Sequence, residues 1–240
     1  MDLSLVIPVR NEAENIPSLA EEIRTVLDAM SLDWECRWID DGSTDDTLAI
    51  LKRLHESDSR HSWIALQPSQ GQSAALIAGF ASTSAPLIAT LDGDGQNDPR
   101  DLPALYEYLR AQSADMVVGV RRERHDSLLR RGWGRIGNGF RKLLVRDRFI
   151  DSGCALRIFH RHCLSAFPHF RGMHRYLPTL TALHGYRVLE LPVNHRPRSA
   201  GQSKYGFRNR FAVVLFDTLG ILWLKRRTVI PRIHSTSSDL

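Results

Sequence analysis

The chain has 240 residues, enough to bury the core of one α/β domain, and its 42% hydrophobic and 25% charged content is that of an ordinary globular protein. That balance excludes collagenous, low-complexity and disulfide-framework classes, and the N-terminus lacks the basic-then-apolar pattern of a signal peptide. The net charge of +5 conceals a split, since residues 1–120 carry 8 Lys/Arg against 20 Asp/Glu, residues 121–148 carry 10 against 3, and residues 196–232 carry 9 against 1.

An acidic half followed by two basic segments points to an anionic partner: a phosphorylated substrate, an anionic membrane or nucleic acid. Nucleic acid is the weakest of these, because the basic segments lack aromatics interleaved at stacking positions. Cys36, Cys154 and Cys163 are odd in number and lack metal-ligand spacing, so reduced, buried thiols in a cytoplasmic protein are expected.

In chain order, the apolar run LSLVIPV (3–9) predicts a first strand, and Ile16 to Met30 recur at helical spacing. WECRWI (34–39) predicts a second strand, ending in DDGSTDD, where Ser43 or Thr44 can cap a helix through Leu48, Leu51 and Leu54. SWIALQ (62–67), PLIATL (86–91) and ADMVVGV (114–120) predict three more strands. GQSAALIAGFAST (71–83) predicts a small-residue helix, and Pro99 suits the first turn of another. This alternation predicts a mostly parallel sheet covered on both faces. In such sheets ligands bind beyond the carboxyl ends of the strands. Arg10-Asn11-Glu12, Asp40-Asp41 and Asp92–Asp98 all fall at predicted strand ends, so they converge on one crevice.

The second half is less regular. It holds a basic helical stretch (125–146), two strand-like runs (154–159 and 186–193), a loop (195–206) and an apolar run, FAVVLFDTLGILWL (211–224). That run is 14 residues long and contains Asp217, too short for a span of about 20 apolar residues. With Trp223 and the Lys225-Arg226-Arg227 anchor it reads as an interfacial helix, or one packed on the domain or a partner subunit. Six histidines (His160, His162, His169, His174, His184, His195) show no ligand spacing with acids and read as surface or packing residues.

No Walker A loop and no strand–GxGxxG turn is present. An EF-hand reading of residues 92–103 fails, since Asn97 stands where glycine is needed and Pro103 where a bidentate acid is needed. DGDGQ (92–96) instead reads as a clamp for Mg²⁺ or Mn²⁺ with a phosphorylated ligand. Two carboxylates, with an amide oxygen from Gln96, match the oxygen ligands these ions take beside phosphate and water. Asp98 and Asp101 flank Pro99 at a helix start, where negative charge suits the dipole. Asp40 and Asp41 sit where strand-end carboxylates accept bonds from a ribose or a base edge.

Taken in order, VIPVRNEAENI, IDDGSTDDT, GQSAALIAGF, TLDGDGQNDP, DSGCALRIF and ELPVNHRPRSAGQSKYG resemble the family-2 inverting glycosyltransferases. They are most similar to polyprenyl-phosphate sugar synthases of the dolichol-phosphate mannose synthase type, over residues 3–210. The resemblance implies an α/β GT-A (Rossmann-like nucleotide-binding) fold with a mostly parallel central sheet. The chain is then expected to divide into a GT-A glycosyltransferase domain (1–206), a C-terminal amphipathic helix that is membrane-interfacial or packed on protein (207–228) and a disordered tail (229–240).

The resemblance also implies a nucleotide-diphosphate sugar donor, a polyprenyl phosphate acceptor and single displacement with inversion. Pro8, Arg10, Asn11 and Glu12 match the first nucleotide-contacting loop, although Arg10 stands where the family often has a small or aromatic residue. Asp40 and Asp41 match the base and ribose carboxylates, and Asp92, Asp94 and Gln96 the metal site. Arg198, Ser203 and Lys204 match the loop that closes over the donor diphosphate, and Arg130, Arg131 and Arg135 the acceptor-phosphate segment. Asp94, Arg198 and Lys204 are then expected to carry catalysis, with Asp151 positioning the acceptor. A peripheral enzyme at the cytoplasmic face of the membrane is expected, with self-association through residues 211–224 open to it. The QxxRW signature of processive polysaccharide synthases is missing, which disfavours a sugar hydroxyl as acceptor. Intact Asp92, Asp94 and Gln96 disfavour a nucleotide-sugar-binding module without turnover.

Overall fold

The computed structural model describes residues 1–121, 149–197 and 208–229, with only the backbone described for 208–215. The predicted acceptor-phosphate residues Arg130, Arg131 and Arg135 lie outside the described residues, as do Arg198, Ser203 and Lys204.

The first strand, β1 (Leu3–Val9), is the centre of the fold. Leu3, Ser4, Leu5, Val6 and Ile7 are all fully buried. Successive strand residues point to opposite faces, so both faces of β1 are covered. It pairs in parallel with β2 (Trp34–Asp40) and β4 (Leu87–Thr90), and β3 (His61–Ala65) adds in parallel outside β2. On the other side the order continues β4, β6 (Arg157–His160), β5 (Met116–Arg121), β7 (Val188–Val193), giving a seven-stranded sheet. Every pairing is parallel except those of β6, which runs antiparallel to both β4 and β5. The parallel, doubly covered sheet expected from the alternation is therefore present with one reversed strand.

Helices α1 (Ile16–Asp28), α2 (Thr47–Ser57), α3 (Gln72–Ala81) and α4 (Leu102–Ala111) connect the parallel strands, and α5 (Leu177–Leu183) precedes β7. Helix α1 buries Ile16, Leu19, Ala20, Ile23 and Leu27, the stripe its periodicity predicted. Pro99 opens a short 3₁₀ turn (Pro99–Asp101) ahead of α4, and Asp98 caps that turn by accepting from the Arg100 amide at 3.0 Å. Cys36, Cys154 and Cys163 are buried free thiols. Burial pushes the Cys154 thiol up to about 11 and that of Cys163 to about 12, which leaves both protonated at neutral pH.

The ordering places the reversal of connection direction between β1 and β4, the position where open α/β sheets bind ligands. The β1–β4 ladder stops at Val6–Thr90, two residues short of Pro8, which has no N–H to offer a ladder. Beyond it the chain at Gly93 crosses close over the end of β1, where an added Cβ would meet Val9 Cγ1 at 2.5 Å.

The final helix, α6 (Arg208–Arg227), is longer than the apolar run alone indicated. It packs on the domain through buried Thr218 and Ile221, and Tyr176 OH lies 3.0 Å from Thr218 Oγ1. Asp217 pairs with Arg175 at 3.2 Å, which accounts for a carboxylate inside an apolar run.

Helix α3 lies against β1 and β2 with Gly79 at the contact, where a Cβ would meet Val6 Cγ1 at 2.3 Å and Ile39 Cγ1 at 3.1 Å. Gly79→Val forces helix and sheet apart, and overpacking of this kind typically costs about 1–3 kcal/mol. A lowered midpoint in urea unfolding is the expected result, and an unchanged midpoint would show that this contact is slack.

Candidate active site

The carboxyl ends of the six parallel strands and the start of the reversed β6 lie at one edge of the sheet, and the candidate residues come from β1, β2, β4, β5 and β6. Arg10-Asn11-Glu12, Asp40-Asp41, Asp92–Gln96, Arg121 and Asp151–Arg157 therefore share one crevice.

The loops after β1 and β2 are fastened to each other. The Asn11 amide donates to Ser43 Oγ (2.8 Å), the Thr44 amide to Asn11 Oδ1 (2.8 Å) and the Glu12 amide to Thr47 Oγ1 (2.9 Å). Asn11 takes a positive φ of 51°, which asparagine tolerates better than most residues. Asp40 is buried and accepts from both the amide and the hydroxyl of Ser43. Ser43 and Thr44, which the sequence pattern offered as caps for α2, do not cap it. That helix starts after Asp46 without a side-chain cap, because Ser43 is held by Asp40 and Asn11 and Thr44 by Asn11.

Asp41 is equally engaged. Its carboxylate accepts from the amides of Gln70 (2.7 Å) and Gly71 (2.9 Å) and from Ser69 Oγ (2.7 Å). Gly71 holds φ at +94°, and the adjoining Gly42, at +65°, leaves only 2.8 Å between a would-be Cβ and the Ser69 nitrogen. The two carboxylates expected at the base and ribose are thus held as rigid walls of the crevice by loop donors.

After β4, Asp92 Oδ1 accepts from Gln72 Nε2 at 2.8 Å, while the Asp92 amide donates to Asn97 Oδ1 at 3.0 Å. The Gln96 amide donates to Asp94 Oδ1 at 3.1 Å, and Asp94 is 8% exposed. Asp98 and Asp101 have different surroundings. Asp98 is buried and pairs with Arg100 (2.8 Å) and Arg196 (2.6 Å), and Asp101 accepts from the backbone and side-chain amides of Asn194. Arg196 also reaches Glu22 on α1 (2.7 Å), and its amide donates to Gln96 O (2.9 Å). The segment after β7 is in this way laid alongside the DGDGQN loop, with Asn97 bridging His195.

The opposite wall is basic. Arg121, the last residue of β5, makes a two-pronged pair with Asp151: Nε to Oδ2 at 2.6 Å and Nη2 to Oδ1 at 2.8 Å. Burial opposes the Arg121 charge, but the Asp151 carboxylate outweighs it and raises the pKa. Its Nη1 has no hydrogen-bond partner among the described residues. Arg157 faces Thr90 across β4 and Val118 across β5. Its Nη2 donates to the carbonyls of His174 (2.9 Å) and Ser152 (3.2 Å), and burial lowers its pKa. His174 meets Ser73 Oγ at 2.9 Å, so it is a packing residue at the crevice. Arg121 and Arg157 were not singled out from the sequence. Arg121 has the same strand-end position as the acids but opens a run crowded with arginine, and Arg157 lies inside an apolar strand.

The donor set fits a small divalent cation. Asp92 and Asp94 stand one glycine apart at the end of a strand with Gln96 two residues further on, and no cluster of three or more His, Cys, Asp or Glu exists among the described residues. Mg²⁺ and Mn²⁺ sites of that kind use one or two carboxylates and fill the remaining positions with ligand oxygens and water.

For Asp98, burial raises the carboxyl pKa, and the bonds from Arg100 and Arg196 outweigh it, leaving it lowered. A lowered folded-state pKa contributes stability above the unfolded value of about 3.9, lost as pH falls through the folded value. Asp98→Asn is expected to cost about 1.5–3 kcal/mol near neutral pH. The deficit shrinks as pH drops below about 4. Urea unfolding at stepped pH reads this directly, and a deficit constant from pH 7 to 3 would exclude the charge as its source.

Residues 4–177 match glycosyl transferase family 2. The chain is 34% identical to a dodecaprenyl-phosphate galacturonate synthase of Rhizobium johnstonii, over 96% of this chain and 69% of that protein. It is 36% identical to an undecaprenyl-phosphate 4-deoxy-4-formamido-L-arabinose transferase of Salmonella choleraesuis, over 92% of this chain and 67% of the relative. The corresponding transferase of Sodalis glossinidius is 35% identical, over 85% and 62%. Among solved structures, a glucosyl-3-phosphoglycerate synthase from Mycobacterium tuberculosis in complex with Mn²⁺, UDP and phosphoglyceric acid has a TM-score of 0.68 at 20% identity, covering 96% of this chain and 80% of that one. A mannosyltransferase from Pyrobaculum calidifontis in complex with GDP-Man and Mn²⁺ has a TM-score of 0.64 at 20% identity, covering 95% and 65%. The fold is that of these glycosyltransferases, and with the family match over residues 4–177 the chain belongs to glycosyl transferase family 2.

Proposed function

We propose that the chain transfers a sugar from a nucleotide-diphosphate sugar to a polyprenyl phosphate with inversion at the anomeric carbon. The observation that carries this reading is the two-sided crevice, with Asp92 and Asp94 at the end of β4 facing a wall that holds Arg121 at the end of β5. One side suits a cation-bound diphosphate and the other a second anion, and the relatives' names describe polyprenyl-phosphate synthases and transferases.

In this reading Asp40, Asp41 and the loop Pro8–Glu12 bound the nucleoside. Asp92, Asp94 and Gln96 would hold Mg²⁺ or Mn²⁺, which when bound supplies neutralisation of the leaving diphosphate. Arg198, Ser203 and Lys204, later in the chain than the segment that Arg196 fixes beside Gln96, would act on the same diphosphate. Asp151 acts on the acceptor through Arg121: it fixes the guanidinium by two bonds and leaves Nη1 for the acceptor phosphate. Arg130, Arg131 and Arg135 would add further positive charge for the same phosphate.

A phosphate monoester has its second pKa near about 6, so the acceptor is largely dianionic at neutral pH. Its oxygen forms the new bond to the anomeric carbon while the bond to the nucleoside diphosphate breaks, and no general base is required. An α-linked donor gives a β-linked lipid phosphate. Among the described residues no helix is long and apolar enough to cross a membrane. The enzyme on this reading meets its lipid acceptor peripherally, at the cytoplasmic face.

The decisive assay combines the protein, Mn²⁺, a polyprenyl phosphate and a panel of nucleotide sugars, with nucleoside diphosphate release and labelled lipid as readouts. One donor is expected to give both products, chelation to abolish them, and Asp94→Ala to lower kcat by roughly 10²-fold or more, in the range for losing transition-state charge stabilisation. Release without labelled lipid, or an Asp94→Ala enzyme as fast as wild type, overturns the proposal.

A further inference from the structure

Strand β7 lies at the edge of the sheet, and its sequence VLELPV is apolar except for Glu190. Glu190 faces Val118 of β5 across the ladder, three residues before the Arg121–Val193 pair that ends it. Its carboxylate meets no cation among the described residues. One oxygen, Oε1, accepts instead from two successive backbone amides, those of Ile150 (2.7 Å) and Asp151 (3.1 Å). Ile150 is 58% exposed, so packing of its side chain does little to hold the chain there. The buried Phe149 on one side and the two bonds to Glu190 on the other fix the backbone that leads into Asp151.

Asp151 continues the series. It is buried, and both of its oxygens are taken by Arg121, Oδ2 by Nε (2.6 Å) and Oδ1 by Nη2 (2.8 Å). A planar guanidinium gripped along one edge has its orientation set, and its remaining N–H groups then point in fixed directions.

We propose that Glu190 is a positioning residue for the anion wall of the crevice, a role that rests on the reading of Arg121 as a ligand of the acceptor phosphate. Glu190 sets the backbone at Asp151, Asp151 sets the Arg121 guanidinium, and Arg121 Nη1 is thereby aimed at the phosphate. Charge by itself argues against an acid here, because Glu190 and Asp151 place two negative charges beside one arginine and weaken its pull on an anion. Geometry gives the reason for it: an ionised oxygen accepts from amides more strongly than a neutral one and holds the turn more firmly. Firmness matters because a displacement of about 1 Å in a positioning group can cost on the order of 100-fold in rate.

Two substitutions separate geometry from charge. Glu190→Met keeps the side-chain length and removes the accepting oxygen, whereas Glu190→Gln keeps both and removes only the charge. The full chain is titrated calorimetrically with farnesyl phosphate and, separately, with UDP or GDP in the presence of Mn²⁺. Glu190→Met is expected to bind farnesyl phosphate about 10-fold more weakly or worse, with nucleotide affinity unchanged. Glu190→Gln is expected to stay within about fivefold of the wild type, the effect of one screened charge. In an Arg121→Lys background, where the two-pronged grip is gone, Glu190→Met should cost little more. Thermal unfolding is read alongside, and Glu190→Ala takes the place of Glu190→Met if the latter fails to fold.

Farnesyl phosphate binding by Glu190→Met equal to that of the wild type, a loss shared equally with the nucleotide, a Glu190→Gln variant as weak as Glu190→Met, full additivity with Arg121→Lys, or no binding by the wild type overturns the inference. Labelled-lipid formation reads the parent reaction separately. A wild type that makes no lipid product yet shows the split between Glu190→Met and Glu190→Gln refutes that reaction and leaves Glu190 as the brace of an anion site.

Discussion

The crevice depends on one junction, the tripeptide Gly71-Gln72-Ser73 at the start of α3. The Gly71 amide holds the Asp41 carboxylate, the Gln72 side chain holds Asp92, and the Ser73 hydroxyl accepts from the Gly172 amide and meets His174. Three loops from separate parts of the chain therefore take their positions from three consecutive residues. The junction is itself fixed, since α3 cannot slide where Gly79 brings its backbone against Val6 and Ile39. A carboxylate that accepts several donors has one orientation, and preorganised charge of that kind lets a site stabilise developing charge without rearranging.

The electrostatic layout follows from the same edge. The acidic first half supplies Asp40, Asp41, Asp92 and Asp94 from the strands β2 and β4, while Arg121 and Arg157 enter from β5 and β6. Reversal of β6 is what brings Arg157 to the site end, since a parallel strand would begin at the far edge. Arg157 is buried with two carbonyls as its hydrogen-bond partners, so its charge is little screened and adds to the field at the crevice. Asp98 and Asp101, which the sequence sets at a helix start apart from the ligand pair, are spent on Arg196 and Asn194, tying the chain after β7 to the DGDGQN loop.

Much of this was legible beforehand for a physical reason. Buried parallel strands are written as short apolar runs, and each run here ends where the chain must turn and meet water, so polar residues mark the carboxyl ends. That logic located β1, β2, β4 and β5 and grouped Arg10–Glu12, Asp40-Asp41 and Asp92–Gln96. It failed where a residue's partner is distant in sequence. Ser43 has the local pattern of a helix cap, yet its hydroxyl serves Asn11 32 residues earlier, and Asp101 has the pattern of a dipole-matched acid but binds Asn194 93 residues later. Arg121 was lost among neighbouring arginines because only its partner, Asp151, distinguishes it.

The sequence by itself determined the element types, the parallel first half, the acidic strand ends and the kind of cation they suit. Those properties follow from periodicity, side-chain chemistry and spacing within a few residues. Only the tertiary structure decided which carboxylates line the crevice and which brace it, that β6 is reversed, and that α6 packs on the domain. Each of those depends on contacts between segments tens of residues apart, whose pairing is set by packing of the whole sheet and leaves no local signature.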